Sequence, residues 1–402
     1  MKPTIDRLKT PHLWRLLLWV TIFATPALDA CAAPVFREEV RAIWVTRWDY
    51  KTASDIRRAI RTAADLGLNR VIFQVRGRAD AFYRSSYEPW GEEIGGRDPG
   101  FDPLQVAVDE ARRQSIELDA WINVLPGWKG KRPPRNRRHL YHTHPEWFLT
   151  DSKGKQHLLD EHYTIINPCL PEVRTYLVKI VEDLTRNYRF DGLHIDYIRF
   201  VAANQKRVDF PHDQRSLHLF RRYSGGTPRS HPNEWDEWRR KSVNTLVSRL
   251  AETYREIRPG GRVSVAAIRD YSRARTVLFQ DVVTWQRRGW ADEVFPMTYT
   301  DSTRTFRKYV RAIWDAGPHS TVYPGIGVYL HKGKGTVQLV SQIRAARQMG
   351  ARGYALFALS NFQATASHES GKGKKAQRAR QAMRDALIDI NSIAPASARA
   401  GK

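Results

Sequence analysis

Asp191-Gly192-Leu193-His194-Ile195-Asp196-Tyr197 is the stretch on which the reading of this chain turns. A β-strand alternates faces with period two, so Gly192, His194 and Asp196 share one face and Leu193, Ile195 and Tyr197 the other. An imidazole and a carboxylate do not belong under a layer of helices, where an unpaired charge is costly. The stretch therefore reads as a strand whose polar face points into the mouth of a closed sheet, with Asp196 nearest the C-terminal rim. An inward His194 reads equally well as a hydrogen-bonded core residue or as a substrate contact, and Asp196 as an ion-pair member, with Arg199 or Arg76, or as a reacting group.

Outward from this strand the pattern repeats. Strand-like runs fall at Arg41–Arg47, Arg70–Arg76, Leu118–Val124, Gly192–Phe200, Val263–Ile268, Glu293–Tyr299, Val322–Val328 and Tyr354–Leu359. Each is followed by a helix-like run: Ser54–Leu66, Pro103–Gln114, Pro171–Tyr188, Glu234–Ile257, Thr276–Arg288, Thr303–Trp314, Thr336–Gln348 and Lys375–Ile390. Alternation of this kind predicts an α/β fold with a parallel sheet. Eight strand–helix pairs predict closure into a single (β/α)8 TIM-type barrel. Asp102-Pro103 supplies an N-cap and an N1 proline, and Leu104, Val108 and Ala111 follow at helical spacing. The loops Gly77–Gly100, Leu125–Leu170 and Val201–Asn233 are long, and all three leave strand C-terminal ends, the face on which such barrels place their sites.

The 402 residues are 42% hydrophobic, enough for one large core. The barrel is expected over residues 38–390, with a disordered tail at 391–402. Lys2, Arg7, Lys9 and Arg15, the apolar run Leu16–Ala24 and Ala30-Cys31-Ala32 form a signal-peptide pattern over residues 1–32, which predicts export to the periplasm or cell envelope. Leu28-Asp29-Ala30-Cys31 also approaches a lipoprotein box, in which Cys31 would carry lipid and bring membrane contact, although Asp29 departs from that box. With only Cys31 and Cys169 there is no disulfide framework. The formal charge of +24 draws polyanions. For an exported chain these are anionic wall polymers or lipid headgroups rather than nucleic acid, and a merely solvated basic surface is the plain alternative.

Around the predicted rim lie Tyr299 and Asp301 after the sixth strand, Asn123 after the third, Arg76 and Glu88 at and beyond the second, and Asp270 after the fifth. Asp301 could instead cap the next helix, and Asn123 could serve a turn. Trp48, Trp90 and Trp128 sit in or beside rim loops, where flat rings either stack on sugar faces or simply pack. His139, His142 and His144 cluster without enough further ligands for a metal. No phosphate-binding loop, nucleotide fingerprint or Gly-x-Ser-x-Gly elbow occurs, and no cofactor is expected.

A series of segments in order resembles the bacterial family 10-like glycosyl hydrolases. They are Arg41–Thr46, Gln74–Gly77 with Asp80–Tyr83, Glu88-Pro89-Trp90, Phe101–Leu104, Ala120–Asn123, His144–Trp147, Asp191–Tyr197 and Pro296–Tyr299, and the match runs from about Glu38 to Phe362. The resemblance implies a TIM-type barrel and hydrolysis of a polysaccharide, with peptidoglycan strands among the substrates. Where many members carry a second Asp after the acid of this strand, this chain has Tyr197. Strand seven, Tyr323–Tyr329, carries no Glu where another large glycosidase clan has its nucleophile. There is also similarity to chitinase-type barrels. Asp191 and Asp196 match the first and third acids of their motif and Tyr299 its tyrosine, while His194 replaces the middle acid and Ile198 the terminal Glu. Together these imply Asp196, Tyr299 and Asp301 as catalytic groups, with Arg76, Asn123, His194, Trp48, Trp90, Trp128, Asp270 and Glu88 around the substrate. The rival expectation is a glycan-binding protein on a degraded glycosidase barrel.

Overall fold

The computed structural model describes residues 39–393 apart from 157–158, 160–161, 202–208, 318–320, 332–334 and 364–373. The leader, Cys31 and the residues from 394 on lie outside the described residues.

All eight anticipated strands form. In chain order the strands are β1 (Val40–Val45), β2 (Arg70–Arg76), β3 (Glu117–Asn123), β4 (Pro126–Lys129), β5 (Tyr163–Ile165), β6 (Gly192–Asp196), β7 (Arg262–Ala267), β8 (Glu293–Pro296), β9 (Gly325–Gly327) and β10 (Gly353–Phe357). Eight of them make one parallel sheet in the order β8-β7-β6-β3-β2-β1-β10-β9. A lone parallel bridge, Val294 to Val322, joins the two edges and brings the sheet round into a nearly closed barrel. Closure removes the exposed strand edge that an open sheet would leave.

Helices pack on the outside because their apolar faces match the outward strand positions. Thr52 and Asp55 form a reciprocal capping box at the start of Ala53–Asp65. Asp102 accepts from the Gln105 amide ahead of Pro103, and Leu104, Val108 and Ala111 are buried. The run anticipated as one helix over Thr276–Arg288 is instead two, Tyr271–Val277 and Val282–Arg287. Phe279 between them has φ +56, outside helical geometry. This turn lets Gln280 accept from the Ile268 amide and donate to the Ala266 carbonyl at the end of β7.

Two of the long loops have structure of their own. Leu125–Leu170 holds the antiparallel pair β4–β5, and Val201–Asn233 holds the helix Gln214–Ser224. The final helix continues to Ser392, two residues past the boundary anticipated for the tail. Asn391 explains this, because its side chain donates to the Leu66 carbonyl and accepts from the Tyr354 hydroxyl.

The barrel interior has three levels. At the N-terminal floor, Arg70 meets Glu293 at 2.6 Å and Glu117 at 2.7 Å, and Arg262 meets Asp119 at 2.7 Å. The middle is aromatic, with Trp44, Trp121, Phe295 and Tyr323 packed beside Ile72 and Ala355. The mouth carries Asn123, Asp196 and Tyr299.

Candidate active site

Asp196 is the last residue of β6 and lies beside Asn123 of β3 in the parallel register. The chain leaves the strand through Tyr197, whose φ of +50 is uncommon for a residue with a side chain. That left-handed turn aims the Tyr197 amide back at the Asp196 carboxylate, 2.5 Å away. Asp196 is only 4% exposed. Burial pushes its carboxyl up to about 6, opposed in part by the Arg199 charge, the Tyr197 amide and the Trp121 indole. None of these neighbours is a second acid.

Tyr299 arrives from the segment after β8. Its ring stacks on Phe357 at 5.4 Å and meets Trp44 edge-on at 6.4 Å. Burial, and then the nearby charge of Asp196, holds its hydroxyl far above the usual phenol range, so it stays a neutral donor. The sequence of β9 makes room for the ring. A Cβ on Gly327 would fall 2.7 Å from the Tyr299 Cβ, and one on Gly325 would fall 3.1 Å from Tyr299 Cε1. β9, the seventh strand of the barrel, thus carries glycine rather than an acid where the Tyr299 ring packs.

Other anticipated residues fall into place differently. His194 is fully buried in the middle layer, with Nε2 accepting from the Trp44 indole at 3.2 Å and Nδ1 2.9 Å from Ser264 Oγ. Burial lowers its pKa to about 3, and the ring is a neutral core group rather than a substrate contact. Asn123 is at the mouth, but its amide is engaged, accepting from Trp121 Nε1 at 3.0 Å and donating to the Gly77 carbonyl at 3.1 Å. It braces the rim.

Arg76 is the clearest correction. Period two places it inward, but the register shifts between Gln74 and Arg76, so Arg76 pairs with Ile122 instead of Asn123. One extra residue in the strand turns every later side chain to the other face. Arg76 is therefore sealed against Glu88 (2.7 Å) and the Val124 carbonyl (2.9 Å), with Tyr176 donating to the same Glu88 at 2.9 Å. Glu88 is consumed by this clamp and is not a second catalytic acid.

Asp270 is exposed and caps the helix Tyr271–Val277. Asp301 is exposed beyond β8 and its charge acts on His331; the cap of the next helix is Ser302. Trp128 is buried, its indole donating to the Arg132 carbonyl and its ring covered by Arg78 at 4.1 Å. Trp90 is half-buried against the outer core. Of the three tryptophans, Trp48 alone combines partial exposure with a place beside the mouth, under the Arg47 guanidinium at 3.8 Å. The three loop histidines are each held separately. His139 caps a helical turn, His142 contacts the Pro134 carbonyl, and His144 stacks on Trp147.

Three neighbours of the site were not anticipated as such: Tyr163, Tyr197 and, as more than an ion-pair partner, Arg199; Arg47-Trp48-Asp49 was expected at the rim from its place after the first strand. Tyr163 comes from the unforeseen β5, and its ring meets Tyr197 edge-on at 4.8 Å. Arg47 donates to the Tyr163 hydroxyl at 3.1 Å. The signal available for Arg199 was only its place at the C-terminal end of the run that forms β6.

The chain is 26% identical over 299 residues to the glycosyl hydrolase YngK of Bacillus subtilis (strain 168), covering 65% of this chain and 54% of that protein. It is 25% identical over 296 residues to the glycosyl hydrolase DigH of Escherichia coli (strain K12), covering 66% and 63%. It thus spans between half and two thirds of the length of these relatives. Among solved structures, the glycoside hydrolase domain of PgaB (BpsB) from Bordetella bronchiseptica superposes with a TM-score of 0.62 at 16% identity, over 86% of this chain and 99% of that one. Alpha-L-fucosidase isoenzyme 2 from Paenibacillus thiaminolyticus gives 0.59 at 14% identity, over 88% and 49%. At such identities these two speak for the fold alone. The model of the family described as glycosyl hydrolase-like 10 matches residues 39–339, three quarters of the sequence and every barrel strand but β10, and this chain belongs to that family.

Proposed function

We propose that this protein is an exported glycoside hydrolase of the bacterial envelope, acting on an N-acetylhexosamine polymer, with anionic cell-wall strands as the substrate. The observation that carries the reading is Asp196: one buried carboxyl at the C-terminal mouth of the barrel, raised to about 6, beside the neutral phenol of Tyr299. A carboxyl poised near neutrality is what general acid–base or electrostatic catalysis needs. Family membership and the relatives named glycosyl hydrolases support the reaction class. The residue 1–32 pattern and the charge of +24 support export and an anionic polymer.

The pair suits a route in which the sugar's own acetamide is the nucleophile. The acetamide oxygen forms a bond to the anomeric carbon as the glycosidic C–O bond breaks. Asp196, ionised, accepts the acetamide N–H and steadies its developing positive charge, while the Tyr299 hydroxyl donates to the acetamide oxygen and aligns it. The leaving oxygen takes a proton from an acid, and water then opens the cyclic intermediate with retained configuration. Glu88 and Asp270 are committed elsewhere, so Asp301 is the acid that the chain order offers. An inverting route would instead hold two carboxyls about 6.5–9.5 Å apart around a water.

One observation favours a second reading, glycan binding without cleavage: no other acid is among the groups acting on Asp196. Digestion of intact and peptide-free peptidoglycan, followed by mass spectrometry of the products, separates the two. Released oligosaccharides that vanish in Asp196→Asn support hydrolysis. Salt-sensitive retention with no product supports binding alone.

A further inference from the structure

Beside Asp196 the mouth carries a continuous row of cations and rings. Arg199 lies over the Tyr197 ring at 4.6 Å, and Tyr197 meets Tyr163. Arg47 and Lys129 both stand near the rings of Tyr163 and Trp48. Trp48, Lys129, Tyr163, Tyr197 and Arg199 are all partly exposed, so the row forms an open shelf. Among the described residues, two of its guanidinium groups have a buried nitrogen without a hydrogen-bond partner: Nη1 of Arg47, on a side chain with no exposure, and Nε of Arg199. Elsewhere near the mouth, arginines are answered by acids, as in Arg76–Glu88 and Arg78–Glu93. Arg47 has Glu93 at Nε, and the Arg199 charge acts on Asp196.

We propose that this shelf, from Trp48 through Arg47, Lys129, Tyr163 and Tyr197 to Arg199, is a subsite for a carboxylate-bearing sugar next to the one that Asp196 handles. The rings offer flat faces for a pyranose, and the partly exposed Arg199 and Lys129 suit a carboxylate through charge-assisted hydrogen bonds. Arg199 would bind the acid group nearest the reacting bond, and Lys129 would hold an acidic group further along the chain, with the buried Arg47 adding its charge from beside the Trp48 and Tyr163 rings. The inference rests on Asp196 marking the reaction centre.

The test compares peptide-free peptidoglycan strands, whose lactyl ethers end in carboxylates, with the same strands after the carboxyls are reduced to alcohols. Wild-type kcat/KM should favour the acidic strands by about tenfold or more, the scale of one hydrogen bond to a charged group. That ratio should collapse toward one in Arg199→Gln and recover in part in Arg199→Lys, with unchanged melting as the fold control. Affinity of the Asp196→Asn protein for both strand types, measured by calorimetry, gives the same comparison without turnover. Equal affinity and equal turnover for the two, or a preference that survives in Arg199→Gln, would overturn the subsite. If neither polymer is cleaved but the Asp196→Asn protein still prefers the acidic one, the shelf stands and the hydrolase reading fails.

Discussion

The same strand pair, β3 and β6, carries a buried inward carboxylate at each end of the barrel, and the two behave in opposite ways. At the floor Asp119 lies across from Gly192; at the mouth Asp196 lies across from Asn123. Burial pushes both up. At the floor Arg262 and Arg70 more than offset it and hold Asp119 below the usual carboxylate range. At the mouth Arg199, one amide and one indole offset it only in part, leaving Asp196 at about 6. Even the missing side chain of Gly192 belongs to the floor, since a Cβ there would stand 2.4 Å from Asp119 Oδ1. One end spends its charges on each other and stabilises the fold; the other leaves one acid uncommitted and available to a ligand. In barrels of this type such an asymmetry separates the end that serves stability from the end that serves chemistry.

The largest effect should come from removing the uncommitted acid. Asp196→Asn keeps the shape and an accepting oxygen for the Tyr197 amide but loses the charge, and kcat/KM should fall by about a thousandfold or more, roughly 4 kcal/mol of barrier. Full activity in this variant, measured on peptide-free strands, would break the comparison at its upper end.

Next is the floor. Asp119→Asn leaves the buried Arg70 and the half-buried Arg262 with less compensation, which should cost about 3 kcal/mol in denaturant unfolding while kcat stays near wild type. An active-site-sized loss of kcat with little loss of stability would mean the two ends are not divided as described.

The sequence went far with the barrel and less far with the mouth, for a reason visible in particular residues. Eight alternating runs suffice for the fold because outer-face burial repeats on every strand. Asp196 and Tyr299 were legible because a carboxylate and a phenol at strand ends have few structural uses. Arg76 was misplaced because nothing in Gln74-Val75-Arg76 marks the extra residue that turns it outward. His194 looks the same on paper whether it faces a ligand or the Trp44 indole and Ser264 hydroxyl. β4 was missed because Pro126-Gly127-Trp128-Lys129 lacks strand propensity; Gly127 is there because Phe148 Cε1 would lie 2.4 Å from its Cβ. In each case the deciding partner is distant in the chain.

Stability should respond to pH with opposite signs at the two ends. Asp119, depressed in the fold, contributes stability above its unfolded value near 3.9 and loses it as pH falls through its folded value. Asp196, raised in the fold, does the reverse: as pH climbs from about 4 to about 6 a penalty of roughly 2–3 kcal/mol appears. Asp196→Asn should therefore melt higher than wild type at pH 8, with the gap closing by pH 4. A gap that widens toward acid would show that Asp196 is not held protonated by burial.

The smallest expected effect is the most specific to the mouth. The Trp121 indole is among the groups that hold the Asp196 carboxyl down, and it also donates to Asn123 Oδ1 at 3.0 Å. Trp121→Phe removes that N–H while keeping an aromatic ring in the middle layer, so the carboxyl should rise further. If ionised Asp196 is the working form, as acetamide assistance requires, wild-type kcat/KM climbs with pH through about 6, and the variant's limb moves to higher pH with less than about a tenfold loss near pH 6, since one pKa unit is tenfold. If protonated Asp196 is the working form, the limb runs the other way: activity falls above pH 6 in wild type, and the same substitution extends it upward. The direction of the limb, and whether the variant loses or gains activity near pH 6, therefore assigns the role of Asp196. An unmoved limb in a protein that still folds would mean that another group titrates.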